Sequence, residues 1–291
     1  MATNTPTSRI LIALQDYLLD PNTVVTGTGW ALASEENVQT NKFSSAATAS
    51  GNSTAIGIDL ATELAVEVLS VPKHTLGLSS TYRVRISNNQ ELLTNPAAVP
   101  LIEVLFDSGS TPITLPPVET DIPYTDYEEW ANTFTNSSPP PIALPDINTR
   151  GRYVYLEFND PDSTEYTIGK VTVGPAWRPT GGLSASWKQR HVTSKKQHKR
   201  LNGGSVFSED RIKTKQLVFT LQTLKEVEAF NQVTQIDQFL GKLVPWLVLL
   251  DPGDTTNTYK MFMYGTNGKV SPLKNTFYGF YSKTYTVEEW V

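Results

Sequence analysis

Residues 81–87 read Thr-Tyr-Arg-Val-Arg-Ile-Ser, so that Tyr82, Val84 and Ile86 alternate with Arg83 and Arg85. Successive side chains of a strand point to opposite faces, and this period of two predicts a half-buried strand with one apolar and one basic face. Working outward, Tyr153–Phe158 (YVYLEF), Tyr166–Val173 and Leu101–Phe106 read as further strands. Ala61–Leu69 (ATELAVEVL) has the composition of a helix. Its Leu64, Val66 and Val68 alternate with Glu63, Ala65 and Glu67, which favours a strand. Short strands separated by Pro, Gly and Asn clusters predict a sandwich or jelly roll for the first part of the chain.

Residues 107–149 interrupt the pattern. They hold many of the 19 prolines, Pro139-Pro140-Pro141 among them, and proline cannot donate within a central ladder. A long excursion is expected there, with a small element around Asp126–Phe134. After Gly174 the chain turns basic and then returns to strands: Gln216–Leu221, a fully apolar Leu243–Leu250 strand (LVPWLVLL), YKMFMYG, and a long aromatic ending from Asn275 to Val291. Asp251-Pro252-Gly253-Asp254 reads as a turn, and Thr266-Asn267-Gly268-Lys269 as a hairpin turn. One helix is expected, about 223–240. Thr223 is its N-cap, Glu226 completes a capping box, Val227, Phe230, Val233 (or Thr234), Ile236 and Leu240 form its apolar face, and Gly241 ends it. The expected organisation is two domains, 1–175 and 176–291, mainly β throughout.

The 291 residues carry 24 basic and 29 acidic side chains, a net −5. Residues 1–150 hold six basic and sixteen acidic groups (−10), and residues 151–291 hold eighteen and thirteen (+5). Such asymmetry suits two parts with different partners. With no cysteine, disulfides, zinc–thiolate sites, iron–sulfur clusters and cysteine nucleophiles are excluded. Only His74, His191 and His198 occur, so a histidine-rich metal centre is excluded and a Ser-His-Asp triad is hard to assemble. The N-terminal apolar run is short and broken by Gln15 and Asp16, and no eighteen-residue apolar run exists. A soluble protein with neither signal peptide nor membrane span is expected.

The chemistry-bearing stretches each have a bland alternative. Thr26-Gly27-Thr28-Gly29-Trp30 and Thr180-Gly181-Gly182-Leu183 precede no clear helix and read as turns rather than phosphate loops. The acidic pairs Glu35-Glu36, Glu128-Glu129 and Glu288-Glu289 read as solvated, although two facing carboxylates would serve glycoside hydrolysis. Asn159–Ser163 is a surface turn whose oxygens could surround a hard cation. The basic stretch Trp187–Arg200 carries Lys188, Arg190, Lys195, Lys196, Lys199 and Arg200. One basic loop on an acidic chain is a poor nucleic-acid footprint and suits solvent or an acidic neighbouring subunit better. With these cations, Trp246 in the apolar 243–250 stretch and the terminal segment 277–291 are the expected subunit contacts. Trp30, Tyr124, Tyr127 and Trp130 lie in or near loops and could stack on a pyranose, or equally plug the core.

Two resemblances follow from motif order. Thr28-Gly29-Trp30-Ala31-Leu32-Ala33-Ser34, Ile58-Asp59-Leu60, Thr81–Ser87, and Thr149–Phe158 with Tyr166–Gly174 resemble the succession in discoidin-like, galactose-binding-like jelly rolls over roughly residues 10–175. Val173-Gly174-Pro175-Ala176-Trp177-Arg178-Pro179, the basic loop, Glu209-Asp210-Arg211 and Leu221–Ala229 are similar to tail-tip proteins of long-tailed bacteriophages over residues 171–291. These resemblances imply a distal-tail or baseplate protein of the virion, assembled in the host cytoplasm. It would form a ring with copies of itself and neighbouring tail proteins, and could display a glycan-binding jelly roll. No cofactor, no metal, no nucleic acid and no catalysis is implied. The rival readings are a host-adhesion module that binds carbohydrate and, behind it, a glycan-cleaving enzyme.

Overall fold

The computed structural model describes residues 10–77, 79–113, 139–181, 183, 187–193, 199–200, 206–207, 213–240, 243–254 and 261–290. The chain is mainly β and divides into two compact units. One is Ala13–Ala176; the other is Trp177–Val291 together with the N-terminal strand residues up to Ile12.

The first unit is a jelly-roll sandwich of antiparallel strands. One sheet runs in the order Val24–Thr28, Ser53–Ala65, Arg150–Asn159, Thr81–Ser87 and Val104–Asp107, with Thr111–Pro112 also pairing to Thr81–Ser87. The opposing sheet runs Ala47–Thr48, Thr167–Gly174, Val68–His74 and Ile142–Ala143. Period two explains the layering. Tyr82, Val84 and Ile86 join Ile56, Ile58, Leu60, Val154, Leu156 and Phe158 on the inner face. The opposing sheet supplies Leu69, Val71, Ile168, Val171 and Val173 to the same core. Each such side chain contributes about 1.5–3 kcal/mol by leaving water. The expected strand across Ala61–Leu69 is instead the end of one strand and the start of the next. Ala61 takes a left-handed backbone (φ 64°), its amide donating to Asp59 Oδ1 at 2.8 Å.

Leu101–Phe106, expected as one strand, splits. Leu101–Glu103 is a turn of 3-10 helix, and the strand is Val104–Asp107. The expected excursion is described only at its ends, where Thr111–Pro112 and Ile142–Ala143 pair with the sheets. The element expected at Asp126–Phe134 lies outside the described residues.

In the second unit, one antiparallel sheet contains Ile10–Ala13, Trp246–Leu250, Phe262–Val270, Phe280–Glu289, Lys213–Lys225 and Lys188–Thr193, in that order, with Lys274–Phe277 beside Phe280–Glu289. The N-terminal strand therefore belongs here: Ile10, Leu11 and Ile12 pair with Leu250, Leu249 and Val248. The strand expected over Leu243–Leu250 begins only at Trp246, after Pro245, which cannot donate to a ladder; Leu243 is exposed, and all five residues of Trp246–Leu250 are buried, as a continuous apolar strand requires.

Three local expectations are corrected in this unit. The helix starts at Glu226, not Thr223, because the strand Lys213–Lys225 runs through Thr223, whose φ is 54°. The Glu228 carboxylate accepts the Lys225 amide at 3.4 Å. The helix buries Ala229, Val233, Ile236 and Leu240, spaced 4, 3 and 4, while Val227 and Phe230 are exposed. A run of spacings of three drifts around a helix, and a π-helical stretch at Ala229–Val233 shifts the face further. Thr266–Lys269 is not a turn. The strand continues through it with an irregularity between Asn267 and Lys269. The aromatic ending is a hairpin, Lys274–Phe277 against Phe280–Glu289, reversing at Tyr278-Gly279 where Gly279 supplies φ 76°.

A candidate ligand cleft on the outer face of the sandwich

The outer face of the larger sheet carries the residues that alternate with the core. Ala55, Tyr153 and Tyr155 are covered by Leu92 and Val99 from the connection that follows Ser87, with Leu93 and Val104 packed alongside. This small second core leaves a cleft of about 360 Å3 beside it. Ligand pockets of roughly 300–1,000 Å3 are typical. Its polar wall is Arg83, Arg85, Asp107 and Glu157; its apolar wall is Pro96, Ala97, Val99, Leu101 and Val104.

Strand register sets the polar wall. Arg83 lies opposite Glu157, and Arg85 lies opposite Asp107 on the other side. The ion pairs form along the diagonals. Arg83 donates from Nε to Asp107 Oδ1 at 2.9 Å and from Nη2 to Oδ2 at 2.6 Å. Arg85 donates from Nη2 to Glu157 Oε1 at 3.0 Å and from Nη1 to the Pro96 carbonyl at 2.8 Å. The fork from Arg83 holds the Asp107 carboxyl below its ordinary range, and the same hydrogen bonds raise the Arg83 guanidinium. The Arg85 side chain is only 9% exposed and its guanidinium lies 5.3 Å from the Tyr155 ring centre. Its Nε is buried and has no hydrogen-bond partner among the described residues. A buried donor without an acceptor costs about 1–3 kcal/mol, which the two bonds made by Nη1 and Nη2 of the same guanidinium offset. Burial also raises the Tyr155 phenol.

Arg83 and Arg85 are legible in sequence as the outward positions of Thr81–Ser87. Asp107 and Glu157 come from two other strands, and the covering wall at Pro96–Val104 from a connection, so only the topology brings them together.

The residues singled out from sequence fall elsewhere. Trp30 is half-buried: its indole Nε1 donates to the Ala55 carbonyl at 2.7 Å, and its ring meets Tyr166 edge-on, centres 6.3 Å apart. Gly27 makes room for that ring, since a Cβ there would lie 2.5 Å from Trp30 Cδ1, and Gly29 (φ 79°) turns the chain. Tyr124, Tyr127 and Trp130 lie outside the described residues. The Asn159–Ser163 turn holds loops together rather than presenting free oxygens. The fully buried Asp160 accepts the Gly77 amide at 2.8 Å and the Asp162 amide at 3.1 Å, while Asn52 Nδ2 donates to its carbonyl at 3.1 Å. Among the described residues no group of three His, Asp or Glu is placed to hold a metal ion.

Lys188 and Arg190 are exposed on the strand Lys188–Thr193, where Arg190 Nε donates to Gln216 Oε1 at 2.7 Å. Lys195 and Lys196 lie outside the described residues, and the backbone of Lys199-Arg200 pairs with Val206-Phe207. Trp246 is corrected as a surface contact. It is 3% exposed, with its ring 5.4 Å from that of Tyr285 inside its own unit, because both faces of its strand are covered. No helix among the described residues is long and apolar enough to cross a membrane.

No family model and no curated protein matches the chain. Similar solved structures include a GH29 fucosidase of Ruminococcus gnavus in complex with fucose, at 13% identity and TM-score 0.38, over 56% of this chain and 27% of that one. Another is CpGH89CBM32-6 produced by Clostridium perfringens, at 15% identity and TM-score 0.34, over 55% and 99%. A third is chitosan-binding module 1 of a Paenibacillus chitosanase/glucanase, at 12% identity and TM-score 0.37, over 55% and 98%. The chain thus spans about a quarter of the fucosidase and nearly all of the two modules.

Proposed function

We propose that this chain is a non-enzymatic, surface-building protein of the tail tip of a long-tailed bacteriophage, and that its unit Ala13–Ala176 binds a saccharide in the outer-face cleft. The observation that carries the saccharide reading is the Arg83–Asp107 and Arg85–Glu157 wall set against Pro96, Val99 and Val104. Fixed guanidinium and carboxylate groups match sugar hydroxyls, which both donate and accept, and an apolar wall receives the C–H face of a pyranose. The test is a glycan array with the whole protein and with Arg85→Met. Retention of a defined glycan, lost in the variant, supports the reading; no retention overturns it.

The tail-tip reading rests on the order of motifs over residues 171–291 and on the chain's poverty in histidine and cysteine. In it, copies form a ring through head-to-tail contacts, which close by rotation and are oriented by the opposed charge of the two halves. The exposed Lys188, Arg190, Phe277 and Tyr278 are the contact residues of that assembly. Native mass measurement at high concentration and with tail proteins tests it, with a closed ring expected and a persistent monomer against it. Incubation with cell-surface polysaccharides is expected to release no reducing ends.

A further inference from the structure

Resting on the saccharide reading of the same cleft, we infer that it takes an uncharged saccharide, gripped through neighbouring hydroxyl groups that bridge Arg83 and Glu157. Arg83 and Glu157 are direct cross-strand partners, so their side chains start about 5 Å apart on the same face. They nevertheless spend their bonds elsewhere, Arg83 on Asp107 and Glu157 on Arg85. Among the described residues, Arg83 Nη1 and Glu157 Oε2 make no hydrogen bond, and Arg85 Nε is a buried donor with no acceptor. The residues lining the cleft therefore hold a spare donor, on Arg83, and a spare acceptor, on Glu157. One hydroxyl accepting from Arg83 and its neighbour donating to Glu157 use both.

Charge balance argues the same way. Two arginines, Asp107 and Glu157 sum to zero, and both guanidiniums already hold a carboxylate. A uronate or sialate brought here would give up water and find no unmatched cation, with two carboxylates close by; an amino sugar's ammonium would meet two guanidiniums. Desolvation of an ion is repaid only by a well-formed counter-ion, and neither sign finds one. A phosphate or a peptide carboxylate is disfavoured on the same ground. The apolar wall of Pro96, Val99 and Val104 completes the fit to the C–H face of a ring.

The whole protein is titrated by calorimetry with neutral oligomers of glucose, galactose, mannose and N-acetylglucosamine, and with oligogalacturonate, oligoglucuronate, sialyllactose and chitosan oligomers. At least one neutral series is expected to bind tenfold or more tightly than any charged one. Glu157→Gln, which keeps an acceptor for Arg85, is expected to weaken neutral binding about tenfold and to narrow the preference over uronates. Methyl glycosides of the bound sugar lacking one hydroxyl at a time identify the gripped pair, two adjacent positions being expected. Tighter binding of a charged series, or an unchanged preference in Glu157→Gln, overturns the inference while leaving saccharide binding in place. Absence of binding to both sets overturns the saccharide reading itself, and with it this inference.

Discussion

The Trp30 indole donates to the Ala55 carbonyl at 2.7 Å while its ring meets Tyr166 edge-on, so the first tryptophan of the chain is tied to the sandwich core. Trp30→Ala is expected to cost roughly 3 kcal/mol in denaturant unfolding. Trp30→Phe, which keeps a ring and loses the donor, is expected to cost about 1 kcal/mol. At temperatures where the variants remain folded, saccharide retention is expected to be unchanged. Loss of retention with stability intact would return Trp30 to the role of a stacking platform.

His74 is expected to give stability a pH dependence of known sign. Leu76 donates its amide to Nδ1 at 3.2 Å, and Nε2 lies 3.0 Å from the Pro139 carbonyl, which fixes a neutral ring with the proton on Nε2. Burial lowers its pKa from 6.5 to about 4. The unfolded chain therefore takes up a proton below 6.5 while the folded chain does not until about 4. Stability falls across that window as pH drops, by up to about 1.4 kcal/mol per pH unit. Urea unfolding at several pH values measures the slope, and His74→Gln is expected to remove it. Asp59 and Asp107 add a second loss at lower pH. Their folded pKa values are depressed by Arg152 and Arg83, so their stabilisation is complete above the unfolded value of 3.8 and disappears as pH falls through the folded values.

Lys170 is fully buried, with Nζ 2.7 Å from Asp16 Oδ2 and 2.9 Å from the Gln39 carbonyl. Lys170→Met leaves the Asp16 carboxylate without its cation and is expected to cost about 3–5 kcal/mol. The double variant Asp16→Asn/Lys170→Met is expected to recover part of that loss. Simple additivity of the two single changes would mean that the pair is not coupled.

Gly265 faces the neighbouring strand so closely that a Cβ would lie 2.0 Å from the Glu288 carbonyl oxygen. Gly265→Ala is expected to destabilise the second unit by about 1–3 kcal/mol, read by the fluorescence of buried Trp246 during unfolding. A neutral effect would show that the strands Phe262–Val270 and Phe280–Glu289 separate at little cost.

Much of the fold is legible where one physical signal dominates. The alternation of Thr81–Ser87 gives both the strand and its two faces, and the apolar run Leu243–Leu250 gives a buried strand over its last five residues. The partnership of Ile10–Ala13 with Trp246–Leu250 is not legible, because no local pattern says which sheet a short apolar strand will join. The helix is legible as an element, but its face is not: a π-helical stretch rotates Val227 and Phe230 outward. The cleft is half-legible. Arg83 and Arg85 announce a basic face, but Asp107 and Glu157 neutralise it from strands 24 and 72 residues further along the chain.

The saccharide cleft is tested most directly by the guanidinium N–H resonances of Arg83, whose side chain is 36% exposed, during titration with the neutral saccharide that the protein retains. A large, saturable shift of those resonances and protection of their protons from exchange are expected, with Glu157 perturbed in parallel. Unmoved Arg83 signals, with saccharide-induced shifts clustered elsewhere in the protein, would contradict the assignment of the cleft.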